Sequence, residues 1–459
     1  MSLSLAARIL WNMVRVATRE GWDRNRLEAY QSSALRQLRE HAYQHSPFYR
    51  QHHKGLEDAP LNQLPIVTKR QLMAAYDEVV TDPAVTHEDL QKHLLSEPDD
   101  ELFNNSYIVC ATSGTSGTPG IFPYSESEWA VLLASFARAS RWAGSHVRLF
   151  DPMRLAIVGS DKLSHQSRVV ADSFDSPWVP TLRLSATEPL HKIISQLNDF
   201  KPEMLVAYSA LAGVLADEHL NGRLKVTPRI IMCVAEALKP TARKLIQEAW
   251  GIEPFENYAA TELGVAAAEC REHSGLHIFE DLTIVEFVDA EGNAVPPGTM
   301  SARILITPLF STTFPLIRYE LDDTATYTQE PCSCGLPFHR ITKIGGRIAE
   351  TLKLNGPDGN RIVIHPSDFD GVMSTTDAKA WQIVCHDKHL DVLILGPLDS
   401  SAVSEIDTSI AQLLARKGLT AFDRKVKVVS QLPRLKSGKM AVVRDARSSK
   451  GSKANVKST

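Results

Sequence analysis

The sequence predicts an α/β protein: a large N-terminal domain of mixed and parallel sheets with helices, then a small α+β C-terminal domain. Three observations carry this. The chain has 459 residues, more than one ordinary core serves. Between residues 150 and 260 short apolar runs alternate with amphipathic stretches, the pattern of strands joined by crossover helices. Between residues 277 and 330 apolar and polar residues alternate instead, the pattern of antiparallel strands.

Residues 1 to about 100 read as polar helices broken at Pro60, Pro65 and Pro83. The opening stretch, with Arg8 and Arg15 among apolar residues, reads as an amphipathic helix rather than a signal peptide; a mitochondrial presequence is the competing reading. One βαβ unit is explicit. RIIMCV (229–234) is a buried strand, PTARKLIQEAW (240–250) is a helix with proline at its start and Gly251 at its stop, and EPFENY (253–258) is the next strand. Ala290 to Asn293 is a turn between antiparallel strands. Gly345 and Gly346 mark a hinge. The expected division is therefore 1–345, 346–446 and a disordered basic tail, 447–459.

Composition excludes several classes of function. Basic and acidic side chains number 50 and 54, so nothing in the charge favours nucleic acid or an anionic membrane. No uncharged run reaches membrane-spanning length. Six cysteines in this length are too few for a secreted disulfide framework, and a reducing cytoplasm is expected. Cys110, Cys233 and Cys385 sit in apolar runs and read as core. The sequence leaves a homodimer open.

The chemistry begins at TSGTSGTPG, residues 112–120. The preceding SYIVCAT reads as a strand. Gly114 and Gly117 allow positive φ and close approach of a ligand, and consecutive N–H groups form an anion nest. Ser113, Thr115, Ser116 and Thr118 add hydroxyl donors. A polyphosphate suits such a strip, although no Gly-Lys-Ser/Thr ends it as in a Walker loop; a flexible surface loop is the bland reading. NYAATE (257–262) follows the second strand of the βαβ unit, where ligands sit in open α/β sheets. There Tyr258 could stack on a base and Glu262 could hold Mg²⁺. RYELDD (318–323) places adjacent carboxylates after an apolar run, and a carboxylate can accept both ribose hydroxyls. LPRLKSGK (432–439) puts Lys439 after a flexible glycine. Each of these alone also reads as ordinary surface.

Together, in this order, these stretches resemble the adenylate-forming superfamily of acyl-CoA synthetases, peptide-synthetase adenylation domains and luciferases, and within it the phenylacetate–CoA ligase branch. SPFYR (46–50), Ala235-Glu236, GLHIFED (275–281) and Gly346-Arg347 look like further features of that branch. The resemblance spans the chain to about residue 445. It implies ATP, Mg²⁺ and CoA as cofactors and a small carboxylic acid as substrate. It implies that Ser113 to Gly117, with Thr118, hold phosphates, that Ala235, Glu236, Asn257, Tyr258 and Ala259 bound the nucleotide, and that Thr261 reaches the α-phosphate. Glu262 would hold the metal, Asp323 the ribose with help from Arg347, and Lys439 would bridge acyl and phosphoryl oxygens.

Departures from the pattern are Gly120 where many members have lysine, although this branch often lacks it, Ala259 and Asp322 where glycine is usual, Glu320 where this branch often has arginine, and Glu350 where the hinge acid is usually aspartate. None removes a catalytic group. The acyl pocket is expected at Tyr208-Ser209, Ala235 and Tyr258 to Val265, whose small or apolar residues suit an aromatic or medium aliphatic acid. CoA is the expected acceptor; an amine acceptor, or a catalytically silent nucleotide-binding module, is the alternative.

A second constellation comprises Cys270, Cys332 and Cys334 with His273 or His277. Three thiolates and one imidazole complete a zinc tetrahedron, and all positions filled means a structural role. Spacing leaves the histidine open; the resemblance implies His277.

Overall fold

In the computed structural model the described residues are 3–96, 102–112, 119–146, 152–160, 162, 164–347, 350–355, 361–373, 376, 378–387, 389–396, 398–419, 422–433 and 440–447. The tail beyond Arg447, expected to be disordered, lies outside them.

The centre is a nine-stranded sheet. From one edge the strands run Thr181–Ser185, Leu155–Gly159, Met204–Tyr208, Ile230–Val234 and Phe255–Ala260, all parallel. Beyond Phe255–Ala260 the direction reverses, through Gly264–Glu269, Leu276–Ile278, Arg340–Arg347 and Asp323–Thr328. The expected βαβ unit is present: the helix Pro240–Trp250 starts on its proline and ends at Gly251, which takes φ 69° as a left-handed cap. Its second strand starts two residues later than the sequence suggests and runs to Ala260, because Glu253 and Pro254 are taken up by the turn from the helix.

The antiparallel pair expected between 277 and 330 is Thr283–Val288 against Arg303–Pro308, with Tyr319–Leu321 as third strand. The Ala290–Asn293 turn is only part of the link between them. SYIVCAT is the strand Tyr107–Ala111, paired with Ile121–Ser125. At the mouth of that hairpin the Thr112 N–H donates to Gly120 O at 2.8 Å, and the Gly120 N–H donates to Thr112 Oγ1 at 2.8 Å.

The N-terminal hundred residues are helical, as expected, with Leu3–Arg19 and Arg24–His45 the longest helices. Buried charges anchor them and their neighbours. Arg138 and Asp281 are both fully buried and form a two-point pair at 2.7 and 2.8 Å; Arg19 of the first helix adds a contact to the same carboxylate at 3.4 Å. Glu128 is capped into the start of the helix Glu126–Trp142 through Ser125, and it also accepts the N–H groups of Thr312 and Thr313 at 2.6 and 2.7 Å. Tyr49 of SPFYR donates to Pro315 O at 2.9 Å and accepts the Ile317 N–H at 3.1 Å. The loop that leads into RYELDD is thus held from both sides.

Residues from Leu352 onward carry their own core, centred on Phe369, Trp381, Ile383, Val392 and Ile410. There a four-stranded sheet, ordered Asp423–Val429, His389–Leu395, Ala380–Cys385, Val443–Asp445, packs with the helices Pro366–Met373 and Ser400–Arg416. Gly345 and Gly346 lie within the strand Arg340–Arg347. Cys110, Cys233 and Cys385 are buried core residues, as expected. Among the described residues no helix is long and apolar enough to cross a membrane.

Removing one partner of a buried pair leaves the other charge uncompensated. Asp281→Ala is therefore expected to cost about 3–5 kcal/mol, read as a lower urea midpoint; a change below about 1 kcal/mol would show that the pair is not the anchor.

Candidate active site

The strand Phe255–Ala260 has a parallel neighbour on one side and an antiparallel neighbour on the other. Neighbouring connections leave in opposite directions at such a point, and a crevice opens beyond the carboxyl ends of the strands. A cavity of about 470 Å³ lies there, lined by Asn257, Ala259, Thr261, Glu262, Ala235, Asp323 and Arg347. Its apolar wall includes Phe136, Leu155, Ile157, Met204, Val206 and Met232. Gly264, at φ 77°, keeps the turn tight against the neighbouring helix: a Cβ there would meet Leu132 Cγ at 2.8 Å.

Asp323 and Arg347 are register partners on adjacent strands. The Tyr258 hydroxyl donates to Asp323 Oδ2 at 2.9 Å. Burial raises the Asp323 pKa, while Arg347 and Tyr258 favour the ionised form. The Tyr258 ring is buried in the main core, so its cavity-side contribution runs through that hydroxyl. Glu262 is 4 % exposed, accepts the Tyr319 hydroxyl at 3.0 Å, and faces Lys69 Nζ at 3.5 Å. The Thr261 carbonyl accepts Gln166 Nε2 at 3.0 Å, which fixes the turn. Asn257 Oδ1 is buried without a hydrogen-bond partner.

Ala235 adopts φ 67°, a left-handed conformation costing a residue with a Cβ roughly 1–2 kcal/mol. Glu236 reaches back to the start of the preceding helix, Ser209–Leu220. Glu236 O accepts Ser209 Oγ at 2.6 Å, and its carboxylate accepts the N–H groups of Ala210 at 3.3 Å and Met440 at 2.5 Å. Glu350, whose pKa burial raises, accepts the Val442 N–H at 3.0 Å. Two carboxylates therefore hold the backbone just after position 439. Ser113 to Thr118 and Lys439 lie outside the described residues. Of the remaining sequence-derived site residues, Ala235, Asn257, Ala259, Thr261, Glu262, Asp323 and Arg347 share the cavity.

Sequence reasoning passed over Lys69, Gln166 and the far apolar wall. Lys69 had a signal: Thr68 and Gln71 form a capping box that puts Lys69 at a helix start. The apolar wall comes from parallel strands and a distant helix, which no local pattern links.

The Cys/His group also assembles. Cys270, His277, Cys332 and Cys334 present donor atoms all within 4.8 Å of one another. Cys270 Sγ and Cys332 Sγ are 3.9 Å apart; Cys334 Sγ and His277 Nε2 are 3.3 Å apart. A tetrahedron with metal–sulfur bonds near 2.3 Å has edges of about 3.8 Å, so donor set and spacing fit. His277 Nδ1 sits 3.2 Å from Phe338 O, which leaves Nε2 free to ligate. His273 instead turns to Glu269 at 3.2 Å. Cys270 follows the strand Gly264–Glu269, at the end opposite Glu262, so this group lies away from the cavity. A second group, His386, His389 and Asp391, is less suited to an ion. Its rings stack 13° from parallel, so their in-plane lone pairs do not converge, and Lys427 already holds Asp391 at 2.9 Å.

No protein-family model matches the chain. Its fold is that of the adenylate-forming CoA ligases. A crystal structure of 2-hydroxyisobutyryl-CoA ligase in the postadenylation state with R3-HIB-AMP aligns with a TM-score of 0.73 at 18% identity, over 94% of this chain and 92% of that one. In sequence the chain is similar to phenylacetate–coenzyme A ligases. The enzyme of Thermus thermophilus is 25% identical over 369 residues, 76% of each chain, and that of Pseudomonas putida 24% identical over 343 residues, 72% of each. The resemblance read from the ordered motifs is borne out.

Burial pushes the Glu256 carboxyl up to about 7, with Glu269 adding to the effect; the Leu238 N–H, at 2.7 Å, and Arg243 act the other way. A folded-state pKa above the unfolded one means that stability falls as pH rises, here from about 4.5 to about 7. Some solvent contact screens the penalty. Glu256→Gln is therefore expected to be more stable than the parent by roughly 1–3 kcal/mol at pH 8 and equal to it near pH 4; equal stability at both pH values would refute the assignment.

Proposed function

We propose that the chain is an AMP-forming acid–CoA ligase that activates an aromatic or medium aliphatic carboxylic acid. The observation that supports this best is the convergence of Thr261, Glu262, Asp323 and Arg347 on one cavity whose other wall is apolar. A carboxylate oxygen of the acid attacks the α-phosphorus of ATP. The bond to the β-phosphate breaks, and pyrophosphate leaves an acyl adenylate. The CoA thiolate then attacks the acyl carbon, and AMP departs.

In this reading Asp323, oriented by Tyr258 and Arg347, accepts the ribose hydroxyls. The free Asn257 Oδ1 accepts from the adenine amino group. Ser113 to Thr118 cradle the phosphates, and Thr261 meets the α-phosphate. Glu262 would hold Mg²⁺, which would supply charge neutralisation for the phosphates. Lys439 bridges acyl and phosphoryl oxygens as a point charge. Residues 346–446 form the mobile unit that delivers it, docked for this first step through Glu236 and Glu350. Cys270, His277, Cys332 and Cys334 hold a structural zinc. Phe136, Leu155, Ile157, Met232 and their neighbours exclude water from the acyl group and offer a charged acid no partner.

Pyrophosphate release with a panel of acids tests the assignment. Lys439→Ala is expected to slow release at least ~100-fold while leaving transfer from a supplied acyl adenylate to CoA within a few-fold. Silence of the unmodified protein across aromatic and aliphatic acids, with ATP bound, would favour a nucleotide-binding module instead. Elemental analysis is expected to find about one zinc per chain, lost together with thermal stability in Cys334→Ser; a zinc-free protein of normal stability would refute the structural centre.

A further inference from the structure

The first helix, Leu3–Arg19, turns an apolar face away from the core. Its inner stripe is already used. Ile9, Asn12, Val16 and Arg19 are buried, the Val16 carbonyl accepts Arg138 Nη2 at 2.9 Å, and Arg19 reaches Asp281. The helix packs there on Glu126–Trp142, whose Phe136 and Ser140 line the cavity. On the outer side Leu10, Trp11 and Val14 are 63%, 65% and 53% exposed, and Met13 37%. Ten large apolar side chains are exposed among the described residues, and four of them fall between positions 10 and 14. Single exposed apolar residues are ordinary, whereas a cluster of them marks a contact surface. Ala7 and Ala17 are exposed as well, and at the helical period these six residues share one arc of about 160°.

Arginines border that arc. Arg8 and Arg15 are both exposed, two turns apart, and lie between Trp11 and the buried stripe. No Asp or Glu occurs before Glu20. The whole-chain balance of 50 basic and 54 acidic side chains gives no reason to expect an anionic surface, and this helix departs from it. The departure decides between occupants. A second copy docked through the same helix, antiparallel about a two-fold axis, would set arginine against arginine with no acid on either helix to compensate. An anionic lipid surface supplies both missing parts: an apolar layer for Leu10, Trp11 and Val14, and negative headgroups for Arg8 and Arg15. Trp11 suits the boundary, since its ring is apolar and its N–H is polar.

We propose that the helix Leu3–Arg19 docks the protein on an anionic lipid surface. It lies in the plane of the interface, with Leu10, Trp11 and Val14 inserted and the two arginines against headgroups, and it does not cross the membrane. The proposal goes beyond the reading of the cavity as the site of acid activation and does not depend on it. It places the apolar wall at Phe136 one helix layer from the lipid.

Co-sedimentation of the full chain with lipid vesicles tests this. One set is phosphatidylcholine alone, and the other contains about 30% phosphatidylserine. An arginine near such a surface strengthens binding roughly five-fold, so the mixed vesicles are expected to bind at least ten-fold more tightly at low salt. Arg8→Gln combined with Arg15→Gln is expected to erase that difference. Trp11→Ser combined with Val14→Ser is expected to weaken binding to both vesicle types at least ten-fold. All four side chains are exposed, so melting temperatures should stay at the parent value, and Leu10→Ser keeps the test open if one variant unfolds. An unmodified protein absent from both pellets, or binding indifferent to these substitutions, would overturn the proposal. Self-association without lipid, abolished by Trp11→Ser with Val14→Ser and accompanied by no vesicle binding, would overturn it in favour of a second copy.

Discussion

The reversal of strand direction at Phe255–Ala260 is the constraint from which the site follows. A parallel strand needs a crossover helix to return, and an antiparallel one needs only a tight turn. On the parallel side the chain leaves Val234 through Ala235 and Glu236 toward a helix; on the antiparallel side it leaves Ala260 through Thr261 to Gly264 and returns at once. The two exits diverge, and the space between them is the cavity. Asp323 and Arg347 reach the same space because the antiparallel half of the sheet carries them there as opposite members of one ladder.

That geometry would not hold without buried polar groups that tie distant segments to the sheet. Arg138 and Asp281 join the helix behind the turn at Gly264 to the loop after Ile278, and Arg19 joins the first helix to the same carboxylate. Glu128 ties one end of that helix to Thr312 and Thr313, and Tyr49 clamps the next residues before Arg318. A desolvated charge tolerates few positions, because each displaced hydrogen bond leaves an unpaid penalty. Such contacts contribute little net stability compared with an apolar core, but they decide where segments far apart in sequence must lie. At the other end of the sheet the side chains of Cys332 and Cys334 meet those of Cys270 and His277.

Much of this was legible one segment at a time. The βαβ unit around Pro240 and Gly251, the antiparallel pattern after residue 277 and the motif around Glu262 each declare themselves by period, by cap or by residue type. Lys69 does not. Its helix start is readable from Thr68 and Gln71, but its approach to Gly120 and Glu262 depends on the bridge from Val67 to Tyr319, a pairing across 252 positions of chain.

The sequence by itself determined the local conformations, the α/β class and the residue types able to handle a nucleotide, because propensity, periodicity and turn chemistry act over a few neighbours. Only the tertiary structure decided which histidine joins the three cysteines, that Tyr258 presents its hydroxyl to Asp323, and which apolar side chains wall the cavity. Those outcomes depend on sheet order and strand register, which are set by the whole core closing at once.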